Sequence, residues 1–188
     1  MAEQDVLAFV TRLLADLEVP YMVTGSLASS VHGRPRTTHD ADIIIDPTPA
    51  ALDRLVAALA ASGFYVDGTV AREALRSRRQ FNAISTATAF KVDLILRKDR
   101  AFSREEFRRR QTTDLAGAPV SLATAEDAIL SKLEWAQKGG SERQIADAAG
   151  IVAVKGHSLD RGYIERWAVE LGILDLWQRI AGSSEATS

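Results

Sequence analysis

The sequence contains no cysteine, which excludes disulfides, thiolate-held metals and a cysteine nucleophile. It also lacks any real excess of charge. Its 23 Lys and Arg stand against 25 Asp and Glu, a net charge of −2. That balance gives no global electrostatic case for a plain nucleic-acid-binding module. No apolar run approaches the roughly 20 residues of a membrane-spanning helix, and the opening MAEQDVLAFV is acidic rather than basic. These features point to a cytoplasmic protein with no membrane partner. There is no internal repeat, and no linker is long enough to divide the chain into independent domains. What the sequence does have is 188 residues, 46% hydrophobic and 26% charged, enough for a substantial core.

Periodicity orders the elements. Leu7, Val10, Leu13, Leu14 and Leu17 recur at helical spacing. Tyr21 to Thr24 reads as a short strand, Gly25-Ser26 as a tight turn, and Leu27 to Val31 as a brief helix closed by Gly33. Asp40 to Ile45 reads as a strand entering a core. Thr48 and Pro49 supply an N-cap and first-turn proline for a helix running to about Ser62. Phe64 to Val66 suggests a strand, and the arginine-rich Ala71 to Arg79 matches no clear pattern. Phe81 to Ser85 and Phe90 to Leu96 read as a hairpin, RKDRAFSREEFRRR as a surface helix, and Val120 to Leu122 as a last strand. Thr124 with Asp127, and Ser141 with Gln144, resemble capping boxes, and Leu159 to Leu171 and Leu174 to Ile180 continue the helical pattern. The expected class is mixed α/β (α+β): an α/β core over residues 1–122, a helical region over 123–182 packed on it, and a disordered tail over 183–188.

The chemistry centres on THDADIIID, residues 38–46. Side chains at i and i+2 of a strand share a face, so Asp40 and Asp42 project together. A buried carboxylate is costly without a partner, and two together repel. Either the pair marks a wet strand end, or a cation belongs between them. FKVDLIL adds Asp93 inside a strand that is apolar on both sides, as central strands are. Asp93 reads either as a satisfied buried aspartate, paired with Lys91 or an arginine, or as a third ligand. If its strand lies beside that of Asp40, three carboxylates meet on one face, the oxygen-rich cage of a two-metal phosphoryl-transfer site. Oxygen donors favour Mg²⁺ or Mn²⁺. Gly25 and Ser26 stand where backbone N–H groups and a helix dipole face an anion.

The series YMVTGSLASSVHGRPRTTHDADIII followed by FKVDLIL resembles the polymerase-β-like nucleotidyltransferase superfamily. Its local phrasing, with SLATAEDAILSKLEWA and RQIADAAGI, is similar to small bacterial AbiEii-like proteins of toxin–antitoxin and phage-defence systems. The resemblance implies a small mixed sheet of the polymerase-β palm type with flanking helices. It implies a Mg²⁺-dependent (or Mn²⁺-dependent) transfer of a nucleoside monophosphate from an NTP to an acceptor hydroxyl on RNA such as a tRNA, a protein or a small molecule. Asp40 and Asp42 would ligate both metals, and Asp93 the catalytic metal. Gly25 and Ser26 would hold the triphosphate, with Arg36 and Lys132 reaching phosphates. A cognate toxin or antitoxin is the implied partner. The alternative is an inactive member of the fold serving as a binding partner or antitoxin. Arg36 and Lys132 also read as a surface loop residue and an exposed helix position. Asp147 matches the family too, although its spacing pairs it with Arg143. His39 faces away from Asp40 as an exposed or supporting residue, Asp46 ends its strand, and Arg72, Arg76, Arg78 and Arg79 read as a solvated face.

Overall fold

The computed structural model describes residues 3–115 and 117–185. Two compact units divide the chain: Met1–Thr24 with Thr38–Leu122, and Gly25–Thr37 with Ala123–Ser188.

The first unit holds a mixed sheet of seven strands, β1 Tyr21–Thr24, β2 Asp40–Ile45, β3 Phe64–Tyr65, β4 Gln80–Ser85, β5 Lys91–Leu96, β6 Gln111–Leu115 and β7 Ala118–Leu122. Their order is β3-β4-β5-β2-β1-β7-β6. β2 and β5 run parallel at the centre, as do β1 and β7, and the other neighbours are antiparallel. Strand alternation sorts the residues of β2 by chemistry. Ala41, Ile43 and Ile45 are fully buried on one face, while Asp40, Asp42 and Ile44 share the other. Val92, Leu94 and Leu96 of β5 continue the buried face, as do Phe81 and Ala83 of β4.

Helices α1 Glu3–Asp16, α3 Pro49–Ala61, α4 Gly68–Ser77 and α5 Ala101–Arg109 complete this unit. Phe9 of α1 stacks on Phe64 with ring centroids 5.8 Å apart. Thr48 caps α3 as expected, its side chain accepting from the Ala51 N–H, with Pro49 in the first turn. The arginine-rich segment is helix α4, capped by Asp67, with only Ala71 and Ala74 buried. The charged segment after β5 is a helix, but Phe102 and Phe107 anchor it in the core. Strand β6 lies outside the sequence expectations; its residues are mostly exposed and carry no alternating apolar signal.

The second unit is helical: α2 Gly25–His32, α6 Ala125–Gly139, α7 Glu142–Lys155, α8 Arg161–Glu170 and α9 Leu174–Glu185, with a single 3-10 turn at Gly156–Ser158. The expected turn at Gly25-Ser26 is absent, because α2 begins at Gly25 itself. Gly25 has φ +62°, a left-handed conformation that glycine accepts without strain. Gly33 serves a different purpose from the expected left-handed cap. A Cβ there would lie 2.9 Å from the Ile151 nitrogen and 2.9 Å from the Ser29 oxygen, so the end of α2 packs backbone-close on α7. Thr124 caps α6 as expected, accepting from the Asp127 N–H at 3.2 Å. Fully buried Asp127 also receives the Thr124 and Tyr163 hydroxyls, each at 2.6 Å. Ser141 precedes α7 without a side-chain capping bond, so the second capping box does not form. Helix α9 runs through Glu185, into the stretch expected to be a tail, and residues 186–188 lie outside the described residues.

Candidate active site

Register decides the acidic face. Strands β2 and β5 are parallel neighbours with Asp42 opposite Asp93 and Asp40 opposite Lys91. Directly paired residues point to the same side of a sheet, so Asp40, Asp42 and Asp93 share one face. β4 places Asn82 opposite Asp93, and β1 places Thr24 opposite Asp42. A polar row, Thr24, Asp42, Asp93 and Asn82, therefore crosses four strands. Asp93 is the most buried of the three carboxylates, at 6% exposure. Its Oδ2 lies 2.7 Å from the Lys91 ammonium, while its buried Oδ1 has no hydrogen-bond partner. Asp40 Oδ1 accepts from the Thr38 hydroxyl at 2.7 Å.

Lys91 feels all three acids. Its hydrogen bond to Asp93 raises its pKa above the ordinary lysine value; partial burial opposes this, and the charges of Asp93, Asp40 and Asp42 reinforce it. Three carboxylates on one face with an orphaned buried oxygen have the donor chemistry for Mg²⁺ or Mn²⁺. With Asp93 turned to Lys91 and Asp40 to Thr38, no three acidic or imidazole groups are gathered tightly enough to enclose an ion among the described residues. The residues match such an ion by donor type and by face, while in this arrangement Asp93 is paired with Lys91.

The second unit carries the opposite arrangement. Lys132 is 5% exposed, not an exposed helix position, and its Nζ lies 2.9 Å from Asp147 Oδ2. Arg36 Nη2 donates to Asp147 Oδ2 at 3.3 Å and, by a short bond, to the Ser26 hydroxyl. Its Nε lies 3.3 Å from Asp147 Oδ1 without forming a hydrogen bond. Asp147 thus joins two cations from distant parts of the chain, not the Arg143 that its spacing suggests. Burial alone would raise the Asp147 pKa, but the bonds and charges of Lys132 and Arg36 outweigh it and hold the carboxyl below its usual range. Ser26 is buried at the start of α2 rather than wet in a turn. At the other end of α2, His32 Nε2 bonds the Ala123 carbonyl at 2.7 Å, and burial lowers the His32 pKa.

The remaining candidates resolve simply. His39 is exposed just before β2, and Asp46 follows the end of that strand. Asp46 receives Arg97 Nε at 2.8 Å and Arg78 Nη1 at 3.1 Å. Arg72 pairs with Asp53 and Arg76 with Glu73. These arginines spend their charge on local carboxylates at the surface. Sequence reasoning misses the Lys132–Asp147–Arg36 junction, while the pairing of Asp93 with Lys91, one of the two expected readings, is present.

The mixed sheet with its flanking helices is a nucleotidyltransferase-type fold. No family model and no curated protein sequence matches the chain. Among solved structures, the antibiotic-resistance factor ANT(2″)-Ia in complex with adenylyl-2″-tobramycin aligns with TM-score 0.61 and 15% identity, over 91% of this chain and 97% of its own. The lincosamide antibiotic adenylyltransferase LnuA, lincomycin-bound, aligns with TM-score 0.54 and 13% identity, over 79% of this chain and 95% of its own. An antigenic nucleotidyltransferase-like protein from Paracoccidioides brasiliensis aligns with TM-score 0.52 and 18% identity, over 80% of this chain and 73% of its own. At these identities the likeness is one of fold.

Proposed function

We propose that the protein is a Mg²⁺- or Mn²⁺-dependent nucleotidyltransferase that moves a nucleoside monophosphate from an NTP to an acceptor hydroxyl. The observation that carries this reading is the β2–β5 register, which brings Asp40, Asp42 and Asp93 to one face with a buried Asp93 oxygen unpartnered. Asp40, Asp42 and Asp93 are the proposed metal ligands. The divalent ions would supply charge stabilisation for the attacking and leaving oxygens. Asp93 would take the proton of the acceptor hydroxyl. The new bond joins that oxygen to the α-phosphorus, and the bond to the β-phosphate oxygen breaks to release pyrophosphate. Gly25 and Ser26 are the proposed phosphate-binding residues, with Arg36 and Lys132 as the charges that favour an anion. Asp147 keeps those two cations positioned.

An antibiotic-resistance factor and a lincosamide antibiotic adenylyltransferase share the fold, which favours a small-molecule acceptor. RNA and protein hydroxyls belong to the same proposal, as does the cytoplasmic toxin–antitoxin or phage-defence role that the AbiEii-like phrasing implies. Incubation with each labelled NTP, Mg²⁺ and in turn an aminoglycoside, a lincosamide, total tRNA or no acceptor tests it. Label transferred to an acceptor or to the protein supports the reading. The Lys91–Asp93 salt bridge favours one rival, an inactive nucleotidyltransferase fold acting as a binding partner or antitoxin. Absence of labelled product with every NTP and of any divalent-ion binding would select that rival.

A further inference from the structure

Lys91 is the sole cationic side chain that β1, β2, β4 and β5 place on the acidic face among the described residues. It stands two residues before Asp93 on the same strand and directly beside Asp40 on the next. Its Nζ is 2.7 Å from Asp93 Oδ2, and its side chain keeps 38% exposure. A lysine ammonium is a compact charge on a flexible four-carbon stem. With that much solvent access, it can leave the carboxylate without unpacking the sheet. Three like charges on one face repel strongly unless a cation joins them, and this chain carries that cation itself.

We propose that Lys91 is a tethered counter-ion that holds the acidic face together until a divalent ion displaces its ammonium, and that this competition sets the metal affinity of the site. The inference rests on the reading of Asp40, Asp42 and Asp93 as metal ligands. Two consequences separate it from a purely structural salt bridge. Removing the charge destabilises the metal-free protein and at the same time tightens cation binding. Metal binding, in turn, frees the amine.

The experiment measures Mn²⁺ binding by paramagnetic resonance of the free ion, and melting temperature with and without Mn²⁺, after dialysis against EDTA. Wild type, Lys91→Gln and Lys91→Arg are compared. One unit charge removed a few ångströms from the ion is expected to tighten Mn²⁺ binding in Lys91→Gln by at least about fivefold. The same variant melts lower without metal and gains more on adding Mn²⁺, while Lys91→Arg stays near wild type. In the wild type alone, saturating Mn²⁺ raises the acetylation rate of Lys91 by acetic anhydride, followed by mass spectrometry. Wild-type Mn²⁺ binding with equal or weaker affinity in Lys91→Gln, or with unchanged acetylation, overturns the role of Lys91 and leaves the metal reading standing. No Mn²⁺ binding in any of the three proteins overturns both.

Discussion

The acidic face of the sheet unit sets three carboxylates against one ammonium, whereas the junction in the helical unit sets two cations against one carboxylate. Acidic side chains outnumber the basic one on the first, and basic ones outnumber the acid in the second. Under the proposed function, each would draw a ligand of opposite sign. They also differ in what holds them. Asp40, Asp42 and Asp93 are aligned by backbone register, so their grouping survives loss of any one side chain. Arg36, Lys132 and Ser26 are gathered through side chains, with Asp147 at the centre. The same substitution, aspartate to asparagine, should then have opposite consequences for stability in the two places.

Asp147→Asn should give the largest loss of stability. Lys132 is buried and Arg36 half-buried, and both lose their charge partner here, so a cost of about 1 to 3 kcal/mol is expected. Chemical denaturation of wild type and variant measures it; an unchanged midpoint would erase the contrast between the two regions. Asp42→Asn is expected to leave metal-free stability unchanged or slightly higher, since it removes one of three like charges. Nucleotidyl transfer by the same variant should fall by at least about a hundredfold, the order found when one electrostatic stabiliser is removed. Activity near wild type would break the comparison from the other side.

A smaller effect is expected for Ser26→Ala. Loss of the bond from Arg36 should cost about 1 kcal/mol of stability, and calorimetric NTP affinity should weaken by roughly tenfold if that bond orients a phosphate-binding group. The smallest effects concern pH. Burial places the His32 pKa below the ordinary histidine value of 6.5, so the folded state binds this proton more weakly than the unfolded chain. Its contribution is present above about pH 6.5 and lost as pH falls through the folded value. The Asp147 pKa is also lowered, so its contribution is present above about pH 4 and drains away only below that. Melting curves from pH 7 to 3 should fall in an upper range that His32→Gln removes and in a lower range that Asp147→Asn diminishes.

Much of the fold is legible in local signals. The isoleucine run, the Thr48-Pro49 helix start and the Thr124 cap all appear where their chemistry places them. Register between β2 and β5 is only a conditional expectation, because sequence gives facing but not neighbours. Strand β6 escapes because an exposed edge needs no apolar alternation. Helix α4 escapes because it buries only two alanines. Spacing misleads at Asp147 for a related reason. Arg143 is its neighbour by spacing, but Arg36 lies 111 positions away in sequence and reaches it only through tertiary structure. Ser26 reads as a turn residue because a strand followed by Gly-Ser suggests a bend, whereas glycine at φ +62° lets the helix start at once.

The grouping of α2 with helices from the far end of the chain has a consequence for biosynthesis. Helix α2 leaves the ribosome early, yet α7, on whose backbone Gly33 packs, ends at Lys155. At about 5 to 20 residues per second, on the order of ten seconds separates their synthesis. During that interval β2 through β7 are made, so the sheet unit has all its strands before the helical unit has all its helices. Vectorial translation thus puts the strands of the proposed metal ligands ahead of the proposed phosphate-binding junction. Ribosome-stalled chains long enough for Leu122 to clear the exit tunnel, with α7 still inside it, should already protect β2 and β5 from proteolysis, while α2 is still cut.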